Sequence, residues 1–298
     1  IPSYVRMIAE YEAALTAAER VLEGGGRPLV LLDGTLYISR FPYAIHEYHH
    51  HAALLADLFS SIVALHALSK ERGFTLAAVA KDSTVFYLYM ALLKEAVIEA
   101  GLEKYVPTIE EVSSPLDLRL RLAKLAQDAG EDLKRFVEEM PLCDSALVRE
   151  SVVGEGYTVP LLLAPSIYYN KQDAPDLYRR IRRAVESALA EQVISSLKAF
   201  FASPGVAVTY WKPAREGGPL RVDVSASTLG YLDPWERRRK NMFVGDDCDL
   251  SAVEKILDHL GFWFCNDVEY NLPLHHADKL ARFDHGLYRS KYEPFIIS

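Results

Sequence analysis

Cysteine is scarce in this chain. Cys143, Cys248 and Cys265 are odd in number, far apart and without a C-x-x-C pair. That spacing offers neither a disulfide framework nor a zinc knuckle, and a reducing, cytoplasmic setting is the expectation. Positive charge is also short: 33 Lys and Arg stand against 41 Asp and Glu, for a formal charge of -8. A protein that grips nucleic acid mainly through a basic surface needs clustered Lys and Arg, so that class is disfavoured. An acidic site that reaches phosphate through a divalent metal stays open. No apolar run has the length expected of a bilayer span, and the start lacks the charged, apolar and small-residue order of a signal peptide. Repeats, low-complexity linkers and sharp composition shifts are missing too, which points to a single domain over residues 1–298. An initiating methionine is also lacking, as expected of the downstream part of a longer polypeptide.

What is present is an alternating pattern. Ile8, Tyr11, Leu15, Ala18 and Leu22 recur at helical spacing and stop at Gly24, Gly25 and Gly26. "PLVLLDG" follows, a short apolar run suited to a buried parallel strand and ended by Asp33 and Gly34. Residues 44–72 read as a helix, 74–81 ("FTLAAVAK") as a second buried strand and 84–100 as another helix. The region 115–149 is helical with breaks near Gly130 and Pro141, and 175–201 reads as one long helix with a basic face. "GVAVTYWK" (205–212) and "PLRVDVSA" (219–226) form a hairpin that joins the same sheet. A helix near 250–260, a strand-like "GFWFCNDVEY" and a last helix from about Pro273 complete an α/β pattern.

Two sets of residues compete for the chemistry. His46, Glu47 and His50 spell His-Glu-x-x-His, the spacing that puts two zinc-ligating histidines on one helix face with a general base between them. Glu71 lies downstream as a third zinc ligand. However, five of the nine histidines crowd residues 46–66, where such spacings arise cheaply, and the stripe Ile45, Leu54, Leu58, Ile62, Leu65 explains the helix without a metal. The other set starts from Asp33, at the carboxyl end of a buried strand, where α/β folds open onto their ligand crevice. Lys81 ends the second strand in the same way. An aspartate beside a lysine suits a phosphate-bearing substrate held partly by metal, although Asp-Gly is also a simple turn and Lys-Asp a simple helix cap.

The order of short segments then becomes informative. "LVLLDGTLY", "AAVAKDST", "LCDSALV", "YTVPLLL", "YWKP" with "PLRVDV", and "VEYNLPLHHADKL" together resemble the NurA nuclease family over nearly the whole chain. The resemblance implies an RNase H-like mixed sheet flanked by helices, with additional C-terminal helices and with the first strands of the fold upstream of residue 1. It also implies a homodimer around a DNA channel, cleavage of DNA ends, single- or double-stranded, with Mn2+ or Mg2+, and a HerA-type hexameric translocase as partner in end resection.

Position by position, Asp33 matches the family's strand-end aspartate, and the preceding helix offers Glu10 or Glu12 as metal ligand, Glu10 fitting the register better through Ala13 and Ala14. Lys81 matches the Lys-Asp-Ser lysine and Asp144 a further metal-site aspartate. Tyr270 and Asp278 have the spacing of an active-site tyrosine and histidine; aspartate replaces that histidine here, with His275 and His276 within one turn. The family's first Asp-Gly-Ser strand would lie upstream of Ile1, and without it the chain would be a non-cleaving relative that binds the translocase or DNA. Tyr210, Trp211, Trp235 and Phe243 are candidate stacking surfaces for bases. Arg237, Arg238, Arg239 and Lys240 form the one dense basic run, a candidate DNA-backbone contact or simply a solvated face.

Overall fold

The structure is a computed structural model that describes residues 2–36, 52–81, 83–110, 115–165, 174–214, 217–238, 240–266 and 271–281. Helix α1 (Pro2–Glu23) buries Tyr11 and Ala18 and packs Ile8, Leu15 and Leu22 on the same core, as its spacing predicts. The glycines end it, and β1 (Leu29–Asp33) follows. Helix α2 (Ala52–Arg72) crosses to β2 (Thr75–Ala80), which pairs with β1 in parallel. Next come α3 (Tyr87–Glu99), α4 (Val106–Glu110), α5 (Pro115–Asp128), α6 (Glu131–Glu139) and α7 (Asp144–Ser151), the last three separated at Gly130 and Pro141 as expected.

Two short strands that sequence periodicity alone is too brief to reveal, β3 (Gly156–Tyr157) and β4 (Leu161–Leu162), precede α8 (Ala174–Ala184) and α9 (Ser187–Ala202). The hairpin β5 (Val206–Lys212) and β6 (Leu220–Ser225) forms as read, with β7 (Met242–Phe243), α10 (Ser251–Phe262) and α11 (Leu272–Ala281) after it. The strands make one mixed sheet in the order β1-β2-β6-β5-β4-β7, with β3 also on β5; among them only β1 and β2 run parallel.

Helices cover both faces, so the class is α/β. Leu76, Ala78, Val206 and Val208 join the larger core with α1, α2, α3 and α9. Their alternates Ala77, Val79, Ala207, Val222 and Val224 join a second core with α10 and α11. The period-2 alternation of a strand produces this split directly.

Three expectations change. The stretch 175–201 is two helices, because Glu186 has extended backbone (ψ 142°); the break lets Ile181 of one, Val185 between them, and Val193, Ile194 and Leu197 of the other all reach the core. Residues 261–266 are not a strand: Gly261 and Phe262 finish α10, and the Trp263 carbonyl accepts from Leu272 N at the start of α11. Lastly, α2 is long and apolar enough by length and composition to cross a membrane, contrary to the reading of the bare sequence. Its Leu55, Leu58, Phe59, Ile62 and Leu65 are buried in the core and it packs on α1 and α9, which is how a core helix inside a globular fold is arranged.

Candidate active site

Because β1 and β2 are parallel and Asp33 pairs with Val79, the chain leaves both strands on the same side of the sheet. Asp33 ends one strand and Lys81 follows the other, and both side chains are exposed. Gly34 turns the chain off β1 with φ at 130°, a region that side-chain-bearing residues rarely adopt, and its N–H donates to Val79 O at 2.8 Å. The Asp-Gly pair is therefore a genuine turn, one that presents an aspartate at the strand's carboxyl end.

Glu10 reaches this end from α1. Its carboxyl group is about half exposed, 3.2 Å from Arg6, and holds its proton more tightly than an ordinary glutamate. Partial burial is the main cause; the Arg6 charge opposes it and the Asp33 charge adds to it. That coupling brings Glu10 and Asp33 into one electrostatic neighbourhood. Glu12, two residues along the helix, points to a different side and is exposed to solvent.

Helix α11 packs against β1, and Leu274 shares the second core with Leu31. Leu31 and Asp33 lie on the same face of β1, so α11 stands on the side of the sheet that Asp33 faces. It carries His275, partly buried, and His276, exposed. Asp278 lies on the same helix; its side chain, like Tyr270, is outside the described residues.

A second group of charges lies inside the sheet. Arg221 and Asp223 of β6 are 2% and 0% exposed, and the guanidinium donates to both carboxylate oxygens, Nε at 2.7 Å and Nη2 at 3.0 Å. Asp223 Oδ2 also accepts Leu36 N at 3.1 Å. The guanidinium lies 5.7 Å from the Tyr87 ring centroid. Asp144 is 0% exposed and accepts three donors: Leu88 N and Tyr89 N, each at 2.9 Å, and Tyr210 OH at 2.6 Å. Burial pushes its carboxyl up to about 6, against the pull of those donors and of the Arg221 charge. Arg221 holds its proton more tightly than an ordinary arginine: burial works against the guanidinium, and Asp223, Tyr210 and Tyr87 together more than offset it.

The expected metal ligand Asp144 thus sits at the N-terminus of α3 as an acceptor for its first turn, closed off from solvent, which is a structural role. The stacking expectation also changes for three aromatics. Tyr210, Trp211 and Trp235 are buried, Trp235 donating its indole N–H to Leu163 O at 2.7 Å, and Phe243 is packed on the main core. Of the basic run, Arg237 is exposed, 3.8 Å from Asp233. Arg238 is partly buried and donates to Leu163 O, while Lys240 pairs with Glu110 at 2.9 Å. Arg239 lies outside the described residues, as do His46, Glu47 and His50. Glu71 sits exposed at the end of α2 beside Arg72.

Comparison with family models, with curated proteins and with solved structures returns no match. The chemistry therefore rests on the groups themselves. Glu10 and Asp33 offer oxygen donors at a solvent-accessible strand end, the donor type that hard divalent cations such as Mg2+ or Mn2+ take. Among the described residues no three His, Cys, Asp or Glu converge as a ligand set. The described residues thus bring two carboxylates into one electrostatic neighbourhood, with an exposed lysine following the neighbouring parallel strand.

The buried network is what sequence reading missed. One signal pointed to it: "LRVDVS" places Arg and Asp two apart in a strand, on one face.

Proposed function

We propose that the chain is a divalent-metal-dependent deoxyribonuclease of the NurA type, cytoplasmic and with an RNase H-like organisation. In this reading it works as a homodimer on single- and double-stranded DNA ends, with a HerA-type hexameric translocase. One observation carries the reading: Glu10 and Asp33, from different elements, are electrostatically coupled at the end of two parallel strands where Lys81 also emerges. A cation held by these carboxylates would supply Lewis-acid charge toward a phosphodiester. Lys81 would set its ammonium against the negative charge that builds on the phosphate during hydrolysis.

The test is cleavage of end-labelled single- and double-stranded DNA with Mn2+, Mg2+ or chelator, beside Asp33→Ala and Glu10→Gln. Metal-dependent cutting that both variants lose supports the reading, and cutting that survives in Asp33→Ala refutes it. A second reading takes its start from the fact that no three His, Cys, Asp or Glu converge among the described residues: a NurA-like subunit that binds the translocase or DNA and does not cleave. It predicts DNA or translocase retention with no cutting in either metal.

A further inference from the structure

We propose that the buried chain of charges Asp223, Arg221 and Asp144 is the positioning frame of the candidate active site, fixing the two segments that carry Asp33 and Lys81. The proposal rests on the reading that those two side chains belong to one site.

Consider first the segment after β1. Three residues beyond Asp33, Leu36 N donates to Asp223 Oδ2 at 3.1 Å, and between them Gly34 N donates to Val79 O at 2.8 Å. The backbone that turns Asp33 out of the sheet is thus tied on both sides. Leu36 itself is 1% exposed, so its amide has no access to water as a substitute partner.

The segment after β2 is tied by the turn at the start of α7. Ser83 O accepts from Cys143 Sγ at 3.1 Å and from Ser145 Oγ at 3.2 Å, and Val85 O accepts Asp144 N at 2.9 Å. Asp144 then accepts the amides of Leu88 and Tyr89. Residues 83–89, directly after Lys81, are therefore held along their length by residues 143–145.

Arg221 joins the two halves. It is bidentate on Asp223, its guanidinium lies 5.7 Å from the ring of Tyr87 within residues 83–89, and its register partner on β5, Tyr210, donates its hydroxyl to Asp144. Stability does not explain such a group, since a buried ion pair is commonly no more stabilising than apolar side chains of the same size. Geometric specification does: a guanidinium fork and two carboxylates accept partners only along fixed directions. Asp223 and Asp144 are positioning residues here, acting on Asp33 and Lys81 through the backbone.

The test uses the full chain with Arg221→Met combined with Asp223→Leu, an apolar replacement of the ion pair that keeps volume and leaves Asp144 its two amide donors and the Tyr210 hydroxyl. The expected result is a protein that still folds, with Tm lowered by the loss of the Leu36 amide's acceptor, and with amide exchange at Leu36 at least about 10-fold faster while strand amides of β5 stay unchanged. DNA cleavage falls about 10- to 100-fold in kcat, with KM for DNA within about 2-fold, the size of loss seen when supports behind metal ligands are removed. Wild-type exchange at Leu36, or wild-type kcat in the folded double variant, overturns the proposal.

If the wild-type protein cuts no DNA, the nuclease reading fails separately, and Mn2+ titration decides the frame. Affinity that falls at least about 10-fold in the double variant supports it, and unchanged affinity overturns it. Should the double variant not fold, Tyr210→Phe removes one donor from Asp144. Faster exchange at Leu88 and Tyr89 is then expected, and unchanged exchange there overturns the frame.

Discussion

Two pairs of acids divide the molecule. Glu10 and Asp33 stand at a strand end in contact with water, whereas Asp144, at the start of α7, and Asp223, on β6, are buried at 0% exposure, met by backbone amides, a tyrosine and an arginine. The side-chain chemistry is the same; desolvation separates them. A carboxylate cut off from water must have its lone pairs filled by protein donors, and once filled it serves architecture. A carboxylate at the rim keeps access to ions and substrate. In this protein one pair supports the other, since the loop after Asp33 hangs from Asp223.

The comparison breaks most visibly at Asp33. Asp33→Ala should lower metal-dependent DNA cleavage roughly 10³-fold while shifting unfolding by no more than about 0.5 kcal/mol, as expected for an exposed group. Cleavage assays and urea titration on one preparation check both halves. A large stability loss with cleavage retained would reverse the assignment of the two pairs.

Asp144→Asn should do the opposite. The amide nitrogen must face one of the two buried backbone N–H donors, so unfolding free energy should fall by about 2–4 kcal/mol. The pH dependence sharpens this. The folded carboxyl titrates at about 6 against an ordinary 3.8, so the fold binds the proton more tightly than the unfolded chain does. Its contribution to stability is therefore full below about 3.8 and is lost as pH rises through about 6. Urea midpoints measured across that window should lose this component in the variant.

His66 provides a control of opposite sign on α2. Burial lowers its imidazole to about 4 from 6.5, so stability is full above pH 6.5 and declines as pH falls through about 4. The side chain retains some exposure, so His66→Gln should flatten that decline by no more than about 1 kcal/mol. Denaturant midpoints at pH 4.5 and 7 measure it.

The smallest effect concerns the coupling of the exposed acids. Asp33→Asn removes a negative neighbour, so the Glu10 carboxyl should titrate lower than in the parent protein. Carboxyl-carbon NMR in metal-free buffer follows it directly. An unmoved Glu10 would dissolve the pair on which the nuclease proposal stands.

Much of the fold was legible in order and spacing. The stripe through Ile8, Tyr11, Leu15 and Ala18 identifies α1, the apolar runs before Asp33 and Lys81 identify the parallel strands, and the paired runs around 205–226 identify the hairpin. Period and turn chemistry are local, and local rules read them. The placing of Asp33 and Lys81 at the ends of neighbouring strands followed from local strand-end signatures, whereas Glu10 was expected only from the resemblance.

The rest depended on neighbours. "LRVDVS" alternates as a strand with one face in water would, but β6 lies between β2 and β5 with helices over both faces, so every one of its residues is buried. That central position makes Arg221 and Asp223 an interior ion pair, because interior charges must find partners. Tyr210, Trp211 and Trp235 became core for the same reason, and Asp144 became the acceptor for a helix start 55 residues away. By itself, the sequence determined the order of the longer helices and strands and that Asp33 stands at a strand end, since these follow from period and turn residues. Only the tertiary structure decided which acids keep access to water, since burial depends on how distant strands and helices stack.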